Sequence, residues 1–283
     1  MSTRMRDIAT LNEQIAAEGH YRTEDGTEVS IRTALDAAAA GTRCHQPDDR
    51  LDPPAAAITT GTTGAADGAA TSFEVTAESS LQAARRMCGG GPGEVAVLNF
   101  ASARNPGGGY LGGAKAQEED LCRQALLYSC LIQAPEYYEA HRASTNLLYS
   151  DRVIWSPRVP VHRGDDGRLL AEPCPVSFLT SPAPNAGQVL RRDPDAGDRI
   201  RAALRRRAGR VLAVAAHHGV RRLVLGAWGC GVFRNDPTEV AAAFRQQLRP
   251  GGRYGTAFDE VVFAVWDRAT PSANRAAFAD AFG

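Results

Sequence analysis

Two adjacent glutamates follow a glycine-rich stretch in NPGGGYLGGAKAQEEDLCR, residues 105–123. Gln117, Glu118 and Glu119 are predicted to begin a helix, where acidic side chains are favoured by the helix dipole alone. If the glycine loop folds over a ligand, one of these glutamates would face the ligand and lose water. A neighbouring carboxylate and a dry site both raise the pKa of a glutamate, as a general acid requires near neutral pH. The pattern therefore predicts a carboxyl group for acid–base chemistry.

Two glycine-rich loops follow apolar runs that are typical of buried strands. EVAVLNFA, residues 94–101, precedes the glycines 107–109, and RRLVLGAW, residues 221–228, precedes GCGVFRN. Ligands of open α/β sheets bind beyond the carboxyl ends of the strands, where unpaired N–H groups at helix N-termini attract anions. The two loops therefore predict two phosphate-binding sites at one sheet edge, which would suit a diphosphate. A simple tight turn is the alternative interpretation of GCG.

Neither loop matches a common nucleotide-binding motif. The sequence has no GxxxxGK[ST], and it has no GxGxxG followed by an acidic residue about 20 positions later. A kinase, a GTPase and a dinucleotide-dependent oxidoreductase are therefore disfavoured.

The composition is that of an ordinary folded protein without a strong overall charge. The 32 basic and 32 acidic residues cancel, so an anionic ligand has to be held by local geometry. We find no apolar run of about 18 residues and no cationic, apolar leader, so no membrane association is expected. The six cysteines have no CxxC or CxxH spacing, which favours a reducing cytoplasm and argues against a structural metal.

Alternating strand and helix signals predict an α/β fold with helices on both faces of a mixed sheet. Further strand candidates are SFEVT (72–76), RVIWSPRVPV (152–161), CPVSFLTSPAP (174–184) and EVVFAVWD (260–267). Helices are predicted at Thr76–Met87, Gln117–Arg142, Asp198 to Gly219, after an N-cap at Asp236, and at the C-terminus. Before them, residues 1–44 indicate a mainly helical extension, and the Pro- and Gly-rich residues 46–71 indicate a boundary.

The order of these pieces resembles the signature of the poly(ADP-ribose) glycohydrolases. A strand ending in NFA is followed by NPGGG, a seven-residue spacer, YLGGAKA, and QEE at a helix start. The compact ARNPGGG and the later GAWGCGVFRNDP resemble the bacterial-type branch of the family. The resemblance covers roughly residues 70–283 and implies a macrodomain-like, three-layer α/β/α fold. Residues 1–70 would then be an accessory extension and residues 71–283 the catalytic domain.

The resemblance also implies roles for individual residues. Glu119 would be the catalytic acid, and Glu118 would bind a hydroxyl of the ribose that is cleaved. The implied substrate contacts are the ribose-binding Asn99 or Asn105, the loop residues Gly107, Gly108 and Gly109, Gln117 beside the glutamates, the phosphate-binding Gly229, Cys230, Gly231 and Val232, and Phe233 against the distal ribose. The alignment leaves open which asparagine binds ribose and which residues bind adenine.

The implied activity is hydrolysis of the ribose–ribose O-glycosidic bonds of poly(ADP-ribose), from the chain end, with release of ADP-ribose. It would need neither a cofactor nor a metal, and its partners would be the polymer and poly(ADP-ribosyl)ated proteins. The scattered cysteines, the neutral overall charge and the lack of long apolar runs add the expectation of a cytoplasmic protein that binds neither nucleic acid nor membranes, and we expect a monomer. A macrodomain that only binds ADP-ribose and a hydrolase of mono(ADP-ribosyl)ated proteins are the alternatives, although neither needs the glutamate pair.

Overall fold

The computed structural model describes residues 2–51, 71–91 and 93–283. In chain order the elements are α1 (Thr3–Glu18), β1 (His20–Arg22), β2 (Glu28–Ser30), α2 (Arg32–Gly41), β3 (Arg43–His45), β4 (Ser72–Thr76), α3 (Ser80–Gly89), β5 (Val95–Phe100), α4 (Gln117–Gln124), α5 (Leu127–Leu131), α6 (Pro135–Arg142), β6 (Val153–Arg163), β7 (Leu169–Ser181), α7 (Ala186–Arg192), α8 (Gly197–His217), β8 (Arg222–Leu225), α9 (Pro237–Leu248), β9 (Glu260–Ala264) and α10 (Ala273–Phe282). No helix among these described residues is long and apolar enough to cross a membrane.

The larger sheet is mixed, as predicted. Its seven strands lie in the order β3-β6-β7-β5-β8-β9-β4. Strands β7, β5, β8, β9 and β4 are mutually parallel, whereas β6 runs antiparallel to both β3 and β7. The carboxyl ends of the five parallel strands therefore meet at one edge, where a ligand site is expected.

The large sheet is buried on both faces, which confirms the three-layer α/β/α fold. Alternate residues of β5 enter different clusters: Ala96 and Leu98 pack with α8, α9 and α10, whereas Val95 and Val97 pack with α1 to α6. This division follows from the strand geometry, in which successive side chains point to opposite faces. The apolar run EVAVLNFA predicted such a doubly buried strand.

The N-terminal extension is part of this sheet and of its core. Strand β3 pairs with β6 at the edge of the large sheet, and β1 and β2 form a separate antiparallel hairpin. The fully buried Asn12 of α1 donates to the carbonyl oxygens of Cys122 at 3.3 Å and Arg123 at 2.8 Å, both in α4. The extension thus supports the helix that begins with the glutamates. Most of the predicted boundary, residues 46–71, lies outside the described residues.

The single helix predicted over residues 117–142 is wrong, because the chain forms three short helices there. Ala125 has extended backbone angles and forms an isolated antiparallel bridge with Val161 of β6. This pairing interrupts the helix between α4 and α5. Pro135 then begins α6, since proline lacks an N–H but fits the first turn of a helix.

Helix ends are set by local capping groups, and one of them differs from the prediction. The N-cap of α3 is Ser79 rather than Thr76, which is still in β4. Ser79 and Gln82 form a reciprocal capping box with distances of 2.8 and 3.2 Å. Asp236 caps α9 as predicted, and Gly219 has the left-handed backbone, φ 72°, expected just after α8.

Candidate active site

The two glycine-rich loops leave the same edge of the sheet side by side. They follow β5 and β8, which are adjacent and parallel, with Val95 paired to Arg222. Gly226 allows the strand ends to approach closely, because a Cβ there would lie 2.5 Å from the carbonyl oxygen of Ala264 and 3.1 Å from the Phe100 ring. The structure therefore brings both predicted phosphate-binding loops to one place.

The paired glutamates lie buried beneath the first loop. Glu118 is 3% exposed, and its two oxygens accept hydrogen bonds from the Ser102 amide at 2.7 Å and from Asn99 Nδ2 at 3.3 Å. Glu119 is 8% exposed, and its Oε1 accepts from the Gly109 amide at 2.8 Å. Its Oε2 is buried and has no hydrogen-bond partner in the described part of the chain. One carboxylate oxygen of Glu119 is thus left without a hydrogen-bond partner among the described residues.

The glycines are explained by how closely the loop packs on these carboxyl groups. Gly108 has φ +59°, and a Cβ there would lie 2.5 Å from Glu119 Oε1 and 3.0 Å from Glu118 Oε2. At Gly109 an added Cβ would lie 2.7 Å from the Cβ of Ala114. Because real Cβ atoms do not approach that closely, the main chain itself has to cover the glutamates.

Burial changes the protonation of the pair. Removal from water raises the pKa of Glu118 to about 8, and the negative charge of Glu119 adds to this rise. The hydrogen bonds from Ser102 and Asn99 act in the opposite direction without cancelling it. The raised pKa predicted for this region is thus found on Glu118, which is mainly protonated near neutral pH.

The Gln117 side chain connects the start of α4 to the end of β5 by hydrogen bonds. Its Oε1 accepts from the Phe100 amide at 2.8 Å, while its Nε2 donates to the Leu98 carbonyl at 2.9 Å and to Ser80 Oγ at 3.1 Å. The side chain is therefore engaged by protein groups on both its oxygen and its nitrogen.

The two candidate ribose-binding asparagines lie in different environments. Asn99 is fully buried, and its Nδ2 is shared between Glu118 and Thr180 Oγ1, the latter at 3.2 Å. Asn105 is exposed at the start of the glycine run, where its carbonyl accepts from the Gly108 amide at 3.0 Å. Only the side chain of Asn105 is open to solvent.

The second loop is fixed at its base by Asn235, which sequence reasoning missed. The buried Nδ2 of Asn235 donates to the carbonyls of Pro184 at 2.8 Å and Gly229 at 3.1 Å. Gly229 has φ +73°, and a Cβ there would lie 2.4 Å from the Cβ of Ala183. The only signal in the sequence was an asparagine at the end of a glycine-rich turn.

The tip of the second loop presents main-chain amides. The N–H groups of Gly231, Val232 and Phe233 donate to no acceptor among the described residues, and Val232 is 82% exposed. The partly buried Phe233 ring lies 5.9 Å from that of Tyr149. The Cys230 amide differs, because it donates to the Ala227 carbonyl at 3.1 Å. Burial raises the pKa of the Cys230 thiol to about 12, so it stays protonated.

The arginine-rich run RAALRRRAGR, residues 201–210, by itself suggests a solvated helix face, and Arg207 shows that this interpretation is wrong for one of its residues. Its side chain is fully buried, and its guanidinium donates to the carbonyls of Pro182 and Leu148, both at 2.7 Å, and to Asp151 at 3.0 Å. It ties α8 to the segments that flank the second loop. A buried arginine inside an arginine-rich run gives no periodic signal that distinguishes it from its exposed neighbours.

A mixed α/β/α fold with two glycine-rich loops at one sheet edge, and with paired glutamates buried beneath the first of them, defines a macrodomain-like glycohydrolase. The family model described as "Microbial-type PARG, catalytic domain" matches residues 9–164. Comparison with curated protein sequences gives no significant match. The chain belongs to the microbial-type poly(ADP-ribose) glycohydrolases, and its activity is the hydrolysis of glycosidic bonds in poly(ADP-ribose).

Solved structures agree with this assignment. Poly(ADP-ribose) glycohydrolase from Thermomonospora curvata is 49% identical, and the match covers 99% of this chain and 100% of that one with a TM-score of 0.90. The same enzyme bound to the inhibitor ADP-HPD is 46% identical over 99% of each chain, with a TM-score of 0.89. The Deinococcus radiodurans enzyme in complex with ADP-ribose is 44% identical over 87% of this chain and 96% of that one, with a TM-score of 0.76. The similarity thus extends beyond residues 70–283 into the N-terminal extension.

Proposed function

We propose that Glu119 is the general acid, and then the general base, of poly(ADP-ribose) hydrolysis. One observation carries this assignment: Glu119 Oε2 is buried without a described partner, while Oε1 is fixed by the Gly109 amide at 2.8 Å. Both oxygens of Glu118, in contrast, accept hydrogen bonds from protein donors. Glu119 is therefore the carboxyl group that can reach a reacting oxygen.

In the proposed reaction, Glu119 protonates the ribose oxygen of the departing polymer. The glycosidic bond breaks, its electron pair moves to that oxygen, and an oxocarbenium-like centre remains on the retained ribose. The carboxylate then accepts a proton from a water molecule as the water attacks this centre. One residue thus does the work that most glycosidases divide between two opposed carboxyl groups.

The neighbouring residues hold the ribose and the catalytic pair. The neutral Glu118 can donate its proton in a hydrogen bond to a ribose hydroxyl. Asn99 and Gln117 act as positioning residues, because their side chains fix Glu118 and the start of α4. Asn105 is then the asparagine that contacts ribose, since its side chain is exposed.

The second loop binds the diphosphate through its unpaired amides. Gly231, Val232 and Phe233 each offer an N–H, Gly229 shapes the turn, and the Phe233 ring packs against the distal ribose. The loop of Gly107, Gly108 and Gly109 covers the same ligand from the β5 side. Fixed donors of this kind stabilise anions without further reorganisation. The Deinococcus enzyme binds ADP-ribose, and we extend that ligand to this chain.

We further propose how the enzyme works in the cell. It acts as a cytoplasmic monomer on polymer attached to proteins, and it removes ADP-ribose from the chain end. Residues 1–70 serve as an accessory extension to a catalytic domain at residues 71–283. The hydrogen bonds of Asn12 to α4 support this proposal, because they connect the extension to the helix that begins with the two glutamates.

The test compares Glu119→Gln with the exposed control Glu139→Gln. Release of ADP-ribose from purified polymer should fall by about 10²–10⁴-fold in Glu119→Gln. Binding of ADP-ribose, measured by calorimetry, should persist. Near-normal turnover in Glu119→Gln would contradict the assigned acid. Parallel assays on mono(ADP-ribosyl)ated protein separate the polymer hydrolase from the two alternatives.

A further inference from the structure

Two arginines lie at the exposed end of the loop that covers the glutamates. Arg104 is two residues after Ser102, and Arg142 is the last residue of α6. The Arg142 guanidinium donates to the Arg104 carbonyl at 2.8 Å, and the Arg104 guanidinium donates to the Ser144 carbonyl at 3.2 Å. Both side chains are exposed. They therefore form one patch on the rim of the site, which we call the rim pair.

The rim pair forms no salt bridge with the acidic groups of the described residues. Among the residues that the structure describes, neither guanidinium forms an ion pair, whereas arginines such as Arg206 and Arg222 pair with carboxylates. Carbonyl oxygens satisfy N–H donors without neutralising the charge. Each guanidinium has five N–H donors and uses only one for the contact described. Two neighbouring cations with unused donors favour an anion.

The loop that carries Arg104 contacts both glutamates through its main chain. The loop that carries Arg104 is fixed at one end by the Ser102 amide on Glu118 and at the other by the Gly109 amide on Glu119. Residues 103–108 therefore span the two glutamates, and Arg104 lies at the exposed part of that span. A polymer that departs from buried carboxyl groups has to cross the protein surface around them, and the exposed part of this loop belongs to that surface. The first unit of the departing polymer carries a diphosphate close to the broken bond.

We propose that the rim pair binds the diphosphate of the polymer unit on the leaving side of the cleaved bond. This inference rests on the proposed function, because Glu119 defines where that bond lies. The second loop holds the diphosphate of the unit that is released, so the two anion sites lie on opposite sides of the cleavage point. Free ADP-ribose has only one diphosphate and does not need the rim pair. The rim pair therefore favours polymer over product.

The experiment uses the full chain with Arg104→Gln, Arg142→Gln and the double variant. Glutamine keeps N–H donors for the loop carbonyls but removes the positive charge. Two substrates are compared: poly(ADP-ribose), and an aryl glycoside of ADP-ribose whose leaving group carries no phosphate. KM for the polymer should rise about three- to fivefold in each single variant and about tenfold in the double variant, the range expected for exposed ion pairs.

Three readouts separate ligand binding from a structural role of the rim pair. Hydrolysis of the aryl glycoside and the Kd of ADP-ribose should not change, and the KM for polymer should depend less on salt. Arg142→Lys should restore most of the polymer KM because it keeps the charge. Arg245→Gln, an exposed arginine of α9 without an ion pair among the described residues, is the matched control.

The possible failures are distinguishable. Equal losses on both substrates would show that the rim pair only shapes the loop, and an unchanged polymer KM would show that it binds no phosphate. Either result overturns the inference and leaves the role of Glu119 intact. A wild-type enzyme inactive on both substrates would overturn the proposed function and this inference with it.

Discussion

Glu118→Gln should remove a distinct pH dependence from the stability of the fold. Burial raises the pKa of Glu118 from its ordinary value of 4.5 to about 8. Between these values the folded chain keeps a proton that the unfolded chain has released. The stabilisation is therefore fully present below the unfolded pKa and is lost as the pH rises through the folded pKa. The loss amounts to about 1.4 kcal/mol per pH unit, or about 3 kcal/mol over two units within this window.

The comparison with the variant is necessary because buried histidines act in the opposite direction. Burial lowers the pKa of His45 and His141 to about 4, and that of His162 and His218 to about 3. The unfolded chain therefore gains protons as the pH falls below 6.5, which destabilises the fold. The histidines are common to both proteins, so their contribution cancels in the difference.

The assay is urea unfolding of wild type, Glu118→Gln and the exposed control Glu139→Gln at about pH 5.5 and about pH 7.5. At the lower pH the variant should be less stable by about 1–3 kcal/mol, because its new NH₂ group faces donors of Ser102 or Asn99. At the higher pH this gap should close or reverse. Parallel pH profiles for wild type and Glu118→Gln would refute the reasoning.

Three other predictions concern the glycine loop, Asn12 of the extension and the buried histidines. Gly108→Ala should destabilise the fold by about 1–2 kcal/mol and reduce turnover at least about tenfold, because the new Cβ would clash with Glu119 Oε1. Gly26→Ala is the control, since at φ +86° it introduces backbone strain in open space without a clash. Asn12→Ala should cost about 2–4 kcal/mol in urea unfolding, since it leaves the buried Arg163 without its 2.8 Å acceptor. In the Glu118→Gln variant, the free energy of unfolding should fall steadily as the pH is lowered from about 6.5 to about 4.5. The buried histidines stay neutral in the folded chain, whereas those of the unfolded chain take up protons. A free energy of unfolding that stays constant over this range would contradict the prediction.

Much of the fold could be predicted because its signals are local. The apolar run of β5, the N-cap at Asp236 and the glycine after α8 each depend on a few neighbouring residues. The glycine loop and the glutamate pair were recognisable for the same reason, since both lie within one stretch of 19 residues, 105–123.

Features that depend on distant contacts could not be predicted. The break at Ala125 arises from a bridge to Val161, which lies on another strand. Arg207 is buried because the carbonyls of Pro182 and Leu148 surround it, and nothing in its own helix reports that. Gln117 is recognisable in the sequence as the first residue of QEE, but its hydrogen bonds to the end of β5 depend on a distant part of the chain. Long-range pairing, rather than composition, decided each of these cases.

The contact between the Gly109 amide and Glu119 has a consequence for how the enzyme can evolve. In the proposed mechanism, the hydrogen bond that holds the loop at this point also orients the carboxyl group that donates the proton, so that stability and turnover would depend on one interaction. After a destabilising substitution in the loop, a second substitution elsewhere in the protein could restore the lost folding free energy. It could not restore the orientation of the Glu119 carboxyl group. Substitutions that change which sugar polymer the enzyme accepts should therefore be better tolerated in the exposed rim than in the glycines beneath it.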